Sequence, residues 1–300
     1  RLNAVRSIYE GSIHPSELAK LVTIIYLAVW LYAKRDQLSD IGFGLIPLSA
    51  ILGILGGLVF LQPDLSAVLT IIFLGGILFF IAGGDIRQIT LLVLGVLLIG
   101  ALVVTISPTG KDRVASFLAG LGDLTLASDH VKRSIEAFVR GGWLGVGIGK
   151  GTTKLTGLPV PHTDSIFAVV GEETGVLGAS LMVFLYGVFF WRGMTIARRA
   201  PDGLGVLLAA GLTIWLMFEA LVNMAVMVGL MPFAGNALPF VSAGGSNLVV
   251  SLAAVGILVN ISRQTERNKE LEERFYSEVV DLRRRDWRRR VSRSHRTPEG

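Results

Sequence analysis

Seven stretches of this chain stay apolar over the thickness of a lipid bilayer, and that constrains the fold more than any motif does. They run over residues 16–33, 44–61, 65–83, 86–106, 165–191, 204–230 and 246–262. A helix needs about 20 mainly apolar residues to cross the hydrocarbon core, where each backbone polar group must be bonded internally. The Leu, Ile, Val, Phe and Ala residues spread around each helix instead of forming one stripe, which suits a span better than a soluble amphipathic helix. No segment alternates polar and apolar residues consistently over the ~10 positions of a membrane barrel strand. The expected fold is all-α: a polytopic membrane helical bundle of about seven transmembrane helices with one large outer loop.

Charge placement divides the chain and orients it. Charged residues are 17% of the total, against about 25% in a typical globular domain. Of the 28 Lys and Arg, 12 lie in residues 263–300. This excludes a disordered body and a soluble nucleic-acid binder. The absence of Cys excludes disulfides, Cys-ligated metal and thiol catalysis. Lys34 and Arg35, then Arg87, then Arg192, Arg198 and Arg199 sit in alternate connections, whereas 62–64 and 231–245 have no Lys or Arg. The positive-inside rule therefore places the tail in the cytoplasm and loop 107–164 outside. The expected division is a membrane domain over 1–263 and a basic cytoplasmic tail over 264–300, helix-permissive to about 290 and disordered from 291. In that tail Arg283-Arg284-Arg285-Asp286-Trp287-Arg288-Arg289-Arg290 suits adsorption to anionic membrane lipids. The chain opens with Arg1 and a polar stretch, which reads as a fragment or a processed end.

Ionisable residues inside spans are costly, so each needs a reason. Glu17 and Lys20, three apart on one helix face, suit an ion pair near the outer end of the first span. Asp64 reads as an N-terminal cap of the third span, and Asp164 as either a cap or a functional carboxylate at the entry to the fifth. Glu172 and Glu173 lie about two turns deeper, and as neighbours they point ~100° apart, so at most one faces a given partner. Glu219, near mid-span, needs a partner or a watery cavity and reads as structural glue. Glu17, Lys20, Asp64, Asp164, Glu172 and Glu173 fall in the outer half, which predicts an outward-open polar cavity roofed by 107–164. That loop far exceeds the usual ~4–6 residues, and its segments 114–126 and 131–139 are helix-compatible.

Several motif readings fail. The run Gly141-Gly142-Trp143-Leu144-Gly145-Val146-Gly147-Ile148-Gly149-Lys150-Gly151-Thr152 invites a phosphate loop, but Leu144 and Gly151 stand where that loop requires Gly and Ser/Thr. Two readings remain: a tight outer loop, or a backbone-amide surface near anionic groups, with Lys150 and Arg140 beside it. Neither HExxH spacing nor a G-x-S-x-G elbow occurs.

Five segments occur together in a familiar order: His14-Pro15-Ser16-Glu17-Leu18-Ala19-Lys20; Gln62-Pro63-Asp64-Leu65; Gly141-Gly142 with Gly147-Ile148-Gly149; Leu158-Pro159 with His162-Thr163-Asp164-Ser165 through Gly171-Glu172-Glu173-Thr174-Gly175; and Gly229-Leu230-Met231-Pro232 with Leu238-Pro239-Phe240-Val241-Ser242-Ala243-Gly244-Gly245-Ser246. In order and spacing they resemble the SEDS (shape, elongation, division and sporulation) family, which includes RodA and FtsW, over about residues 6–263. The departures are Ser7 where a Trp is usual, His14 for Gln, Arg133 for Gln, Pro161 before the His-Thr-Asp, Ala243 for Tyr and Asn247 for Ser.

The resemblance implies a ten-span peptidoglycan glycosyltransferase of which this chain carries the last seven spans. It implies polymerisation of lipid II into glycan strands for division or elongation, in a bacterial plasma membrane. The partners it implies are the nascent glycan, a class B penicillin-binding transpeptidase and other cell-wall machinery, with no nucleic acid. Asp164 falls on the family's catalytic position. Glu17, Lys20, Asp64, His162, Thr163, Glu172, Glu173 and Ser242 are then expected around the substrate cavity. Lys111, Arg113, Lys132, Arg133, Arg140, Lys150 or a divalent cation (Mg or Mn) would meet the departing pyrophosphate. The alternative class is a lipid-linked precursor flippase or secondary transporter, which intramembrane carboxylates and Gly-interrupted helices also suit. That class predicts charges in both halves of the pathway and inverted repeats, neither of which the sequence displays. A scaffold recruiting partners through the tail has no need of the outer polar cluster.

Overall fold

The computed structural model describes residues 15–61, 64–106 and 108–294, with the side chains of 102–104, 106, 108–109 and 276–294 outside that description. The polar start, His14, Gln62 and Pro63, the arginine side chains at 283–290 and residues 295–300 therefore fall outside it. Nine α-helices occur among the described residues: α1 Pro15–Lys34, α2 Leu45–Phe60, α3 Leu65–Ile81, α4 Ile86–Ile106, α5 Pro108–Gly122, α6 Asp129–Gly141, α7 Ile166–Arg199, α8 Gly203–Met227 and α9 Gly245–Ser294. The described residues contain no strand. The protein is a polytopic helical membrane bundle. A helix stands at each of the seven apolar stretches; α1, α7, α8 and α9 are long and apolar enough to cross a membrane, and α2, α3 and α4 contribute shorter apolar helices.

Helix α8 is the axis. The apolar window of α8 is 67% buried against 17% for α7, so α7 lies on the outside of the described bundle. Trp215, Leu212 and Leu216 on α8 pack with Ile24, Leu27 and Leu31 on α1 and with Ile71, Leu74 and Leu78 on α3. A Cβ at Gly211 would come within 2.9 Å of Leu78 and 3.0 Å of Ile24, so this glycine lets three helices approach closely, as packing in lipid favours. A second apolar cluster joins α6, α7 and α8 around Ala137, Phe167, Ala220 and Met224.

Local chemistry marks the helix ends. Asp64 caps α3, accepting from Ala67 N at 3.2 Å and from Ser66 Oγ at 2.9 Å, as its position predicts; such caps contribute about 1 kcal/mol. Asp202 caps α8 through Gly205 N at 2.7 Å. Loop 107–164 is built from α5, a 3-10 turn at Leu124–Leu126, and α6. One face of α6, carrying Val131, Ser134, Ala137 and Gly141, is buried. Helix α9 passes residue 263 without a break and continues to Ser294, so 291–294 are helical where disorder is expected.

Helix α7 is interrupted at Gly175, whose φ of 70° and ψ of −171° are non-helical. Such a break frees backbone groups that must find partners elsewhere. The glycine-rich run supplies them. Val146 N and Gly147 N donate to Glu172 O and Glu173 O at 3.0 and 3.1 Å, and Val176 N and Leu177 N donate to Gly142 O and Trp143 O at 2.9 and 3.2 Å.

Candidate active site

A polar seam runs beside α8. Lys20, 3% exposed, lies between two carboxylates: its Nζ is 2.8 Å from Glu17 Oε1 and is also bonded to Glu219 Oε1. Asn247 Nδ2 donates to the other oxygen of Glu17 at 3.1 Å, and the Trp215 ring centroid is 5.8 Å from Lys20 Nζ. The expected pair within α1 is therefore part of a cluster that ties α1 to α8 and α9, and Glu219 has its partner.

One turn further along α8, about 6 Å at 1.5 Å per residue, Asn223 reaches the loop before α7. Its Nδ2 donates to Asp164 O at 2.7 Å and to Asn236 O at 2.6 Å. Ser242 Oγ donates to Thr163 O at 2.6 Å and accepts from Leu238 N at 2.7 Å. Ala243 N donates to His162 O at 2.8 Å. Three consecutive carbonyls, at 162, 163 and 164, are thus each held by a separate donor, which immobilises the backbone carrying the Asp164 carboxyl. The N-cap position of α7 falls one residue later, on Ser165, whose hydroxyl donates to Pro159 O at 2.8 Å. Asp164 borders a tight cleft with Asn223, Met227, Phe233, Gly235 and Asn236.

Phe233 is the wall between this cleft and a larger cavity of about 420 Å³, lined by Arg113, Ser116, Phe117, Val131, Met231 and Phe233 among others. The expected open polar cavity is thus corrected: residues of the loop do line the space beside the site, but that space shares Phe233 with the Asp164 cleft and its walls are mostly apolar. The His130 ring stacks on Phe233 with centroids 3.9 Å apart, and the Arg113 guanidinium lies 5.6 Å from the same ring. Burial holds the His130 imidazole below its ordinary pKa; Asp129 opposes this and Arg113 adds to it. Sequence reasoning passed over His130, which stands alone without a metal-ligand spacing.

Glu172 and Glu173 both bond the glycine-rich loop. The Glu172 side chain accepts from Thr152 N at 3.0 Å, from Thr153 N at 3.1 Å and from Thr153 Oγ1 at 2.9 Å. Glu173 accepts from Gly149 N at 2.9 Å and from Lys154 Nζ at 2.5 Å. Both neighbours therefore engage one loop, contrary to the expectation that adjacent positions cannot share a partner, because the loop wraps over both. The amide surface of the glycine run is filled by the protein's own carboxylates. Arg140 is held by Glu136 at 2.7 Å and bonds Thr152 Oγ1 at 2.9 Å. Lys111, Lys150 and His162 are exposed. Asp64 is spent on its cap. Among the described residues no three His, Asp or Glu side chains converge to hold a metal ion.

Two substitutions test this packing. Replacing Glu172 with Ala removes the acceptor from two amides and a buried threonine hydroxyl, at a cost of about 1–3 kcal/mol; limited proteolysis should then cleave within 145–155, which stays resistant in the parent. A Cβ at Gly141 would collide with Gly171 O and lie 2.9 Å from Glu172 Cα. Gly141→Ala should therefore lower the melting temperature in detergent, by roughly the 1–3 kcal/mol of an overpacked core.

A family model described as cell cycle protein, covering FtsW, RodA and SpoVE, matches residues 7–267. The chain belongs to this family. A probable peptidoglycan glycosyltransferase FtsW of Trichlorobacter lovleyi is 40% identical over 253 residues, covering 84% of this chain and 66% of that protein. Stage V sporulation protein E of Bacillus subtilis is 35% identical over 253 residues, covering 84% of this chain and 69% of the relative. The chain thus spans about two thirds of the length of the curated relatives it matches. A solved peptidoglycan synthase complex, described as coordinating polymerization and crosslinking, superposes with a TM-score of 0.67 at 26% identity, over 87% of this chain and 76% of that one. In this SEDS chain the Glu17–Lys20 and His162–Asp164 segments are joined through α8 and residues 236–247.

Proposed function

We propose that this chain is the catalytic part of a peptidoglycan glycosyltransferase that polymerises lipid II. The observation that carries the reading is the fixed backbone at Asp164, held at three successive carbonyls beside the buried Glu17–Lys20–Glu219 cluster. The similarity to a peptidoglycan glycosyltransferase FtsW and to a peptidoglycan synthase complex supports it. The 4-hydroxyl oxygen of the acceptor sugar attacks the anomeric carbon of the lipid-linked glycan. Its proton passes to the Asp164 carboxylate, the new glycosidic bond forms, and the bond to pyrophosphate breaks. Of the cations named above, Arg113 is best placed for the leaving pyrophosphate, because it lines the cavity that shares Phe233 with Asp164. Lys20 and its two carboxylates brace the wall below.

In this reading loop 107–164 lies outside, the end of α9 is cytoplasmic, and a class B penicillin-binding transpeptidase crosslinks the product. Lipid II supplied in detergent tests it, because no second compartment exists there. Glycan strands longer than the substrate should accumulate; a flippase or transporter would leave the lipid II unchanged.

A further inference from the structure

Helices α7 and α9 run side by side at the end of the bundle that carries the arginine-rich connection. On α7, Arg192, Thr195, Ile196 and Arg199 recur at i, i+3, i+4 and i+7, and on α9, Ser262, Thr265, Glu266 and Lys269 recur with the same spacing. Each set therefore forms one helix face, and the two faces enclose a cavity of about 70 Å³. Three of these residues are cationic and one is anionic. No ion pair to Arg192, Arg199 or Lys269 occurs among the described residues. The hydroxyls of Thr195 and Thr265 donate to Trp191 O and Ile261 O of their own helices, so Ser262 is the hydroxyl that can donate into the cavity.

The surroundings specify what kind of anion fits. Trp191, 61% exposed, directly precedes Arg192, and a Trp ring is at home at the membrane–water boundary. Away from the cavity, exposed apolar side chains continue along both helices: Leu185 and Val188 at seven and four residues before Arg192, and Val259 three before Ser262. A small cationic cavity at the boundary, followed by apolar strips directed into the bilayer, has the form of a phospholipid binding site. Inorganic phosphate would use the cavity alone.

We infer that this cavity binds the phosphodiester of an anionic phospholipid, whose acyl chains lie on the apolar strips of α7 and α9. The lipid belongs to the leaflet at that end, the cytoplasmic one by the charge rule, where anionic lipids are enriched. It ties the C-terminal end of α7 to the middle of α9, two helices whose N-terminal ends carry the Asp164 loop and Asn247.

The test is native mass spectrometry of the purified full chain titrated with phosphatidylglycerol, with phosphatidylcholine and inorganic phosphate as separate arms. One tightly held phosphatidylglycerol is expected, undisplaced by millimolar phosphate and not replaced by phosphatidylcholine. The triple variant Arg192→Ala/Arg199→Ala/Lys269→Ala should bind it at least about tenfold more weakly, since each basic residue near a membrane surface is worth roughly fivefold. The triple variant Arg198→Ala/Arg263→Ala/Arg267→Ala removes the same charge from exposed positions on the same turns outside the cavity, and should change binding by less than about twofold. Ser262→Leu fills the cavity without altering charge and should also abolish the adduct; it decides the matter if the first triple variant is not recovered from membranes. Equal losses in the two triple variants, equal binding of phosphatidylcholine, displacement by phosphate, or normal binding by Ser262→Leu would each overturn the site.

Discussion

Replacing Lys20 with Met should cost the folded protein about 3–5 kcal/mol, the usual penalty for removing one partner of a buried ionic cluster. Among the described residues Lys20 is the cation in contact with both Glu17 and Glu219, so its loss leaves two largely buried carboxylates without their counter-charge. Glu219→Gln is isosteric and leaves Lys20 paired with Glu17, so its cost should be much smaller. Exchanging the charges of Glu17 and Lys20 should fail to restore stability, because a carboxylate at position 20 would face Glu219. With a simple two-residue pair, the exchange would recover part of the loss. Thermal unfolding of the four proteins in one detergent separates these outcomes, and a Lys20→Met protein that melts with the parent would remove the cluster from the account.

The second large effect is chemical. Asp164→Asn should reduce the rate of glycan elongation by about 10²–10⁴-fold, the range that a positioned general base supplies. The amide keeps the shape of the carboxyl but cannot take the acceptor's proton. Its backbone carbonyl still accepts from Asn223, so the amount of protein in membranes should match the parent. Asn223→Ala should act differently. It removes the donor to Asp164 O and Asn236 O, so it loosens the carboxyl's position and should lower activity less than Asp164→Asn while also lowering the melting temperature.

The helices were legible because bilayer thickness and apolar run length admit few alternatives, and each of the seven stretches contains a helix. Asp64 was legible as a cap because a cap is local, decided by residues two and three positions away. The partner of Glu219 was not, since it lies 199 residues away in the chain and nothing in a single sequence selects Lys20 over another cation. The glycine run shows the same limit. Its composition marked a tight loop, but its task depends on the break at Gly175 in α7, and a glycine within an apolar span reads equally well as a packing contact. The hydrogen bonds from this loop to Glu172 and Glu173 were hidden for the same reason. The cavity was misjudged because Phe233, which no motif singles out, lines both the Asp164 cleft and the larger space.

The most direct measurement is the length of glycan made from purified lipid II by the parent and by Asp164→Asn, at equal protein in the same detergent. The account predicts long strands from the parent and elongation slowed by about 10²–10⁴-fold in Asp164→Asn. Strands of equal length and yield from both proteins would contradict it.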